Sequence, residues 1–199
     1  MKPPALVHAA ILGTFCLGFG VVLAVTDRMT VDAIAARALD DKLNSLAQVL
    51  PENLRDNNPV SDALTLQGTD GKELTLYRAR KDGRLTGVAY EIRGSGYAGE
   101  IRLMLGIDAD GRILGVRALA HKETPGLGDK IDTRKSDWIL RFAGLALGTP
   151  PVERWKVRKD GGDFDQFAGA TITPRGVVGA IRGGLDFFAA HRNEIIGAN

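Results

Sequence analysis

The sequence predicts an α+β protein: one N-terminal transmembrane helix followed by a single domain with a mostly antiparallel sheet packed by helices. Three observations predict it. Residues 6–25 form an apolar run without Asp, Glu, Lys or Arg. The middle of the chain alternates apolar and polar residues in paired runs joined by turns that contain Asp-Gly. Near the end, Thr173-Pro174 opens a long helical pattern. The 199 residues carry 26 Lys+Arg against 24 Asp+Glu, a net charge of +2. That balance leaves no electrostatic footprint for nucleic acid. A single Cys excludes an intramolecular disulfide, and one Cys with three scattered His gives no metal-ligand spacing. The 25 glycines follow no collagen-like period and point to turns and close backbone approaches.

The first element is the apolar run. About 20 apolar residues cross a bilayer core as a helix, and a helix apolar on all sides for this length rarely belongs to a soluble core. Lys2 before the run, with Asp27 and Arg28 after it, favours a cytoplasmic N-terminus and an exported remainder. A cleaved secretory signal is the alternative, and it exports the same domain. Cys16 packs within the segment. Residues 30–49 carry Val31, Ile34, Ala35, Ala38, Leu39, Leu43, Leu46 and Ala47 on one helical face, with Thr30 as N-cap and Pro51 as the stop. Residues 56–61 form a polar loop. The expected domains are thus an anchor over 1–26, a juxtamembrane helix and linker over 27–60, and a folded domain over 61–199.

Strands are expected at 73–79 and 85–92, about the turn Lys81-Asp82-Gly83, and at 100–107 and 113–119, about Asp108-Ala109-Asp110-Gly111. A short helix is expected at 136–142. The last helix runs from the cap at Thr173, with Pro174 in its first turn, to about residue 194. Each of its glycines costs about 1 kcal/mol against Ala in a helix interior. Gly176, Gly179/Ala180 and Gly183 therefore mark a face against which a backbone or ligand packs closely.

Three segments carry candidate chemistry. Gly94-Ser95-Gly96-Tyr97-Ala98-Gly99 fits G-x-G-x-x-G, but a strand follows where a dinucleotide fingerprint requires a helix, so a glycine-rich bend is favoured. In Glu123-Thr124-Pro125-Gly126-Leu127-Gly128, Pro-Gly sets a tight turn that raises Leu127 on an exposed loop. Its amides can meet an anion or a ring carbonyl, or the loop is a plain surface turn. In Asp165-Gln166-Phe167-Ala168-Gly169-Ala170-Thr171, small residues leave Thr171 sterically open just ahead of a helix N-terminus, where a phosphate is favoured. Thr171 either carries such a group or shapes the turn into the cap.

Those residues resemble a known family. Asp165-x-x-Ala168-Gly169-Ala170-Thr171 is similar to the D-x-x-(S/T)-G-A-(T/S) motif of exported FMN-binding domains, with Ala168 standing where Ser or Thr is common. Glu123 to Gly128 is similar to that family's ring-contacting loop, and Gly96-Tyr97-x-Gly99 to a third signature. Motif order and the N-terminal anchor resemble the G subunits of Rnf/Rsx ion-translocating electron transport complexes; the C subunit of the sodium-translocating NADH:quinone reductase is the second candidate. The resemblance implies an FMN-binding domain with FMN phosphoester-linked to Thr171, attached by a magnesium-dependent flavin transferase that uses FAD. It implies a single-pass protein of the bacterial inner membrane with its domain in the periplasm. Its partners would be the other subunits of the complex, and its task electron relay rather than free-standing catalysis. A non-redox assembly module with a vestigial motif, and a soluble flavin reductase, are the alternatives. Gly169 and Ala170 would give close backbone access, and the amides near Thr173 would hold the phosphate. Thr124, Pro125, Gly126 and Gly128 would cover the ring, with Leu127 as its apolar contact. Glu123 would bond the ring or ribityl chain, or be a solvated carboxylate. Tyr97 would be a cofactor neighbour or an ordinary core aromatic.

Overall fold

The computed structural model describes residues 4–68, 71 and 73–197. Lys2, the cation expected ahead of the apolar run, lies outside them, as do the side chains of Ala35, Ala38 and Leu39. The chain divides into two compact units, residues 1–42 and 43–199.

Helix α1 runs Ala5–Val49. Within it, Ala5–Ile34 is long and apolar enough to cross a membrane, with a mean hydropathy of 2.2 over its most apolar 18 residues and none of those buried. Leu12, Phe15, Leu17, Phe19 and Leu23 are all exposed, a surface that suits lipid rather than water. Thr30 does not cap a new helix. Its hydroxyl donates to the Thr26 carbonyl at 2.9 Å inside a continuous one, because no breaker separates the apolar run from the amphipathic stretch. The helix ends ahead of Pro51, as expected.

The second unit is built on a five-stranded sheet: β1 (Ala63–Gln67), β2 (Glu73–Lys81), β3 (Arg84–Ser95), β4 (Glu100–Asp108) and β5 (Ile113–Ala120). The strands lie side by side in chain order, every neighbour antiparallel. Four of them follow the alternation read from the sequence; β1 is additional. Helix α2 (Ile172–Gly197) covers one face with Val177, Val178, Ile181, Leu185 and Phe188, against Tyr90, Ile92, Ile101, Leu103 and Leu105. Trp138, Ile139, Phe142, Trp155, Phe164 and Phe167 extend this core. The expected short helix is a 3-10 turn at Trp138–Phe142.

The other face packs on the end of α1, where Leu46, Val49 and Leu50 meet Tyr77, Ala79, Ala89 and Met104. A strip of small residues admits the helix end, since Ala89, Gly106 and Gly115 are register partners across β3, β4 and β5. A Cβ on Gly106 would overlap the Val49 carbonyl, and one on Gly115 would lie 3.1 Å from that of Gln48.

On the opposite face α2 crosses β3 at Gly94, whose Cβ would stand 2.6 Å from the Gly176 carbonyl. The close-packed face of α2 is Gly176, Ala180 and Gly184. Gly179 and Gly183 have open space around them. Of the expected face, Gly176 and Ala180 hold, while Gly179 and Gly183 give way to Gly184, since steps of four keep these residues over the sheet beneath.

Candidate functional site

The start of α2 is the first component of the site. The turn Phe167-Ala168-Gly169-Ala170 closes with a hydrogen bond from the Ala170 amide to the Phe167 carbonyl at 3.1 Å. Gly169 has φ +78°, a value that an L side chain rarely adopts. The turn delivers Thr171, half-buried, to the residue before the helix. The Arg175 amide donates to the Thr171 carbonyl at 3.3 Å, so Thr171, not Thr173, holds the N-cap position. Thr173 lies two residues on, within the first turn, and is fully buried. The cap expected at Thr173 is corrected because that hydroxyl is engaged by another group.

That group is Glu123. The residue is 6% exposed, and its carboxylate accepts from the Thr173 hydroxyl through Oε2 and from the Ala98 amide through Oε1 at 3.0 Å. It is therefore no solvated loop carboxylate. One side chain ties together the Gly96-Tyr97-Ala98-Gly99 turn, its own loop and the first turn of α2. Both turns are locally closed. The Gly96 amide donates to the Gly99 carbonyl at 2.7 Å, and the Leu127 and Gly128 amides to the Thr124 carbonyl at 3.1 and 3.2 Å. The Gly126 amide donates to Asp129 Oδ1 at 2.8 Å, and Asp129 is itself buried.

The three tied segments leave an exposed rim. Tyr97 is 73% exposed, so it is no core aromatic: the turn at residues 96–99 lifts it clear of the sheet. Leu127 is 42% exposed, as the Pro-Gly turn predicts, and Ile172 is similarly open. The Leu127 side chain lies 3.5 Å from where a Cβ of Gly169 would be. Thr124, Pro125 and Gly126 are exposed, Gly128 buried, and Ala168, Gly169 and Ala170 open to partly open. Every candidate residue thus falls on one of three segments joined at Glu123.

Sequence reasoning passed over the group behind Asp165. Its carboxylate pairs with Arg141 at 2.5 Å and with Arg158 at 3.0 Å, and its carbonyl accepts Trp138 Nε1 at 2.9 Å. Trp138, Phe142, Phe164 and both arginines line a cavity of about 460 Å³ there. Farther along, Arg175 grips Asp160 with two bonds of 2.5 and 2.6 Å and holds its carboxyl below the usual range. Among the described residues no cluster of His, Cys, Asp and Glu could hold a metal ion.

Residues 96–186 match the FMN-binding domain family, a span that opens on Gly96 and includes Glu123, Thr171 and Thr173. The chain is 51% identical over 195 residues to the G subunit of the ion-translocating oxidoreductase complex of Cereibacter sphaeroides, covering 98% of this chain and 89% of the relative. The chain belongs to the G-subunit family of ion-translocating oxidoreductase complexes. The G subunit of Stutzerimonas stutzeri is 46% identical over 92% of this chain and 80% of its own length. The fold is similar to that of Shewanella oneidensis NqrC in its crystal structure, with a TM-score of 0.51 over 74% of each chain at 22% identity. The family match over residues 96–186 places the Gly96, Glu123 and Thr171 segments in an FMN-binding domain, and membership of the G-subunit family decides for that complex over the second candidate.

Proposed function

We propose that this protein is a membrane-anchored electron-transfer component that carries FMN in phosphoester linkage to Thr171, on the periplasmic side of a bacterial inner membrane. A flavin transferase attaches the group from FAD, and the other members of the complex supply and remove electrons. The observation that carries this reading is the convergence of three segments on Glu123, with a half-buried Thr171 at the open end of a long helix.

The residues fit the group. Ala168 and Gly169 are exposed and bear almost no side chain, so the backbone beside the Thr171 hydroxyl is accessible. A phosphate there meets the positive end of α2 and its first amides, which favour negative charge. Ala168 supplies no hydroxyl where the motif often has one, so the helix start and backbone hold the phosphate without it. Tyr97 and Leu127 present flat and branched apolar surface on either flanking segment, suited to a planar ring. FMN, when bound, supplies the redox chemistry, and the protein supplies orientation and electrostatics. The anchor confines that chemistry near its partners and raises their effective concentration.

The test is the intact mass of the full-length protein coexpressed with a flavin transferase. One FMN adduct is expected on the wild type and none on Thr171→Ala, with in-gel fluorescence lost in parallel. An unmodified wild type under active transferase would overturn the covalent reading.

A further inference from the structure

The geometry points to Glu123 as the positioning residue of the flavin-attachment site, holding the Thr171 helix start and both flanking turns in one arrangement without itself binding the cofactor. This inference rests on the Thr171 reading. Both carboxylate oxygens are already engaged within the protein. Oε2 takes the hydroxyl of Thr173, two residues beyond the acceptor. Oε1 takes the amide of Ala98, next to Tyr97.

The surroundings are shaped to this side chain. A Cβ on Gly96 would overlap Oε1. A Cβ on Gly128 would stand 2.6 Å from Oε2 and 2.8 Å from Thr173 Oγ1. Two motif glycines, far apart in sequence, are therefore small for the same reason: the carboxylate occupies the space their side chains would need. The bonds to a charged acceptor are stronger than neutral ones. Deleting the acceptor leaves a buried hydroxyl without its partner and frees the 96–99 turn.

The consequence is a division of labour. Thr171 accepts the group, Tyr97 and Leu127 face it, and Glu123 sets the spacing among the three. Labelling by the transferase should therefore depend on Glu123 even though that residue is shielded from the transferase. A glutamine of the same shape keeps one carbonyl acceptor and an amide able to reach Thr173, so it should restore most of the effect.

The experiment uses the full chain coexpressed with a flavin transferase and compares wild type, Glu123→Ala, Glu123→Gln, Thr173→Val and Thr171→Ala. Flavin incorporation is followed in time by in-gel fluorescence. In parallel, hydrogen exchange of the Ala98 amide is followed in the flavin-free protein. Incorporation into Glu123→Ala should slow by at least about tenfold, the scale of a lost charge-assisted hydrogen bond. Glu123→Gln should stay within about threefold of wild type, since one acceptor remains. Ala98 exchange should accelerate in Glu123→Ala and not in Thr171→Ala. Should Glu123→Ala fail to fold, Thr173→Val removes one of the two bonds by exchanging the hydroxyl for a methyl, and slowed labelling there supports the same role. Wild-type labelling rates in Glu123→Ala and Thr173→Val, with unchanged Ala98 exchange, would overturn the proposal. If the wild type itself takes no flavin, the Thr171 reading falls, and the exchange measurement alone decides whether Glu123 holds the segments.

Discussion

Two helix ends meet opposite faces of one sheet, and they are fastened by different chemistry. The end of α1 sits over Gly106 and Gly115 in an apolar cluster of Leu46, Val49, Leu50, Tyr77, Ala79, Ala89 and Met104. The start of α2 also meets backbone through glycine, at Gly94 and Gly176, but its first turn is fixed by the buried Glu123–Thr173 bond. Apolar packing is nondirectional and fixes a position by shape. A buried carboxylate fixes it by donors at defined angles, and fails if one is missing. The polar fastening stands at the helix start that carries Thr171, the residue proposed to accept the flavin, and the apolar one at the end of α1.

The largest break of this contrast is expected on the apolar side. Leu50→Ala removes a fully buried side chain and should lower stability by about 2–5 kcal/mol, read by denaturant unfolding, while flavin labelling of the folded protein persists. Gly106→Ala should cost about 1–3 kcal/mol by pushing the helix end off the strand. Unchanged stability would show that Val49 does not rest there. Gly176→Ala brings two opposing effects. A Cβ there would collide with the Ser95 carbonyl, whereas Ala favours helix by up to about 1 kcal/mol. The collision should win. Gly179→Ala and Gly183→Ala meet open space and should each stabilise by roughly 0.5–1 kcal/mol, giving an internal control in thermal melts.

The smallest effect concerns pH. Hydrogen bonds from Arg134 hold the Asp132 carboxyl at about 2, against an ordinary 3.8. A lowered folded-state value means the contribution is present above the unfolded value, near 4, and is lost as pH falls towards 2. Asp132 is largely covered but its Arg134 partner is open to solvent, so screening should keep the loss within about 1 kcal/mol. Asp132→Asn should flatten that part of the stability profile by removing this small contribution at neutral pH, leaving stability near pH 2 almost unchanged.

Much of this arrangement is legible in the order of residues alone. Alternation at 73–79, 85–92, 100–107 and 113–119, with Asp-Gly turns, specifies four of five strands because one face must be buried and the period of two leaves no freedom. Strand β1 escapes such a reading because Ala63–Gln67 is short and mostly open, with a weak alternation of its own. The continuous α1 escapes it because Asp27, Arg28 and Thr30 look like a boundary while none of them breaks a helix. At the site, the three segments can be singled out from glycine, proline and small-residue chemistry. Their meeting at Glu123 cannot: a carboxylate on a loop is usually solvated, and only the fold shows which hydroxyl, 50 residues away, reaches it. Tyr97 is ambiguous for a related reason, since an aromatic after a strand reads as core until the turn direction is known.

The Glu123 junction also ties together the histories of distant positions. Gly96, Glu123, Gly128 and Thr173 occupy one small volume, so a heavier residue at any of them must be answered at another. The four letters should drift as a single unit, whereas their neighbours Lys122 and Ala168, facing solvent, remain free to change one at a time.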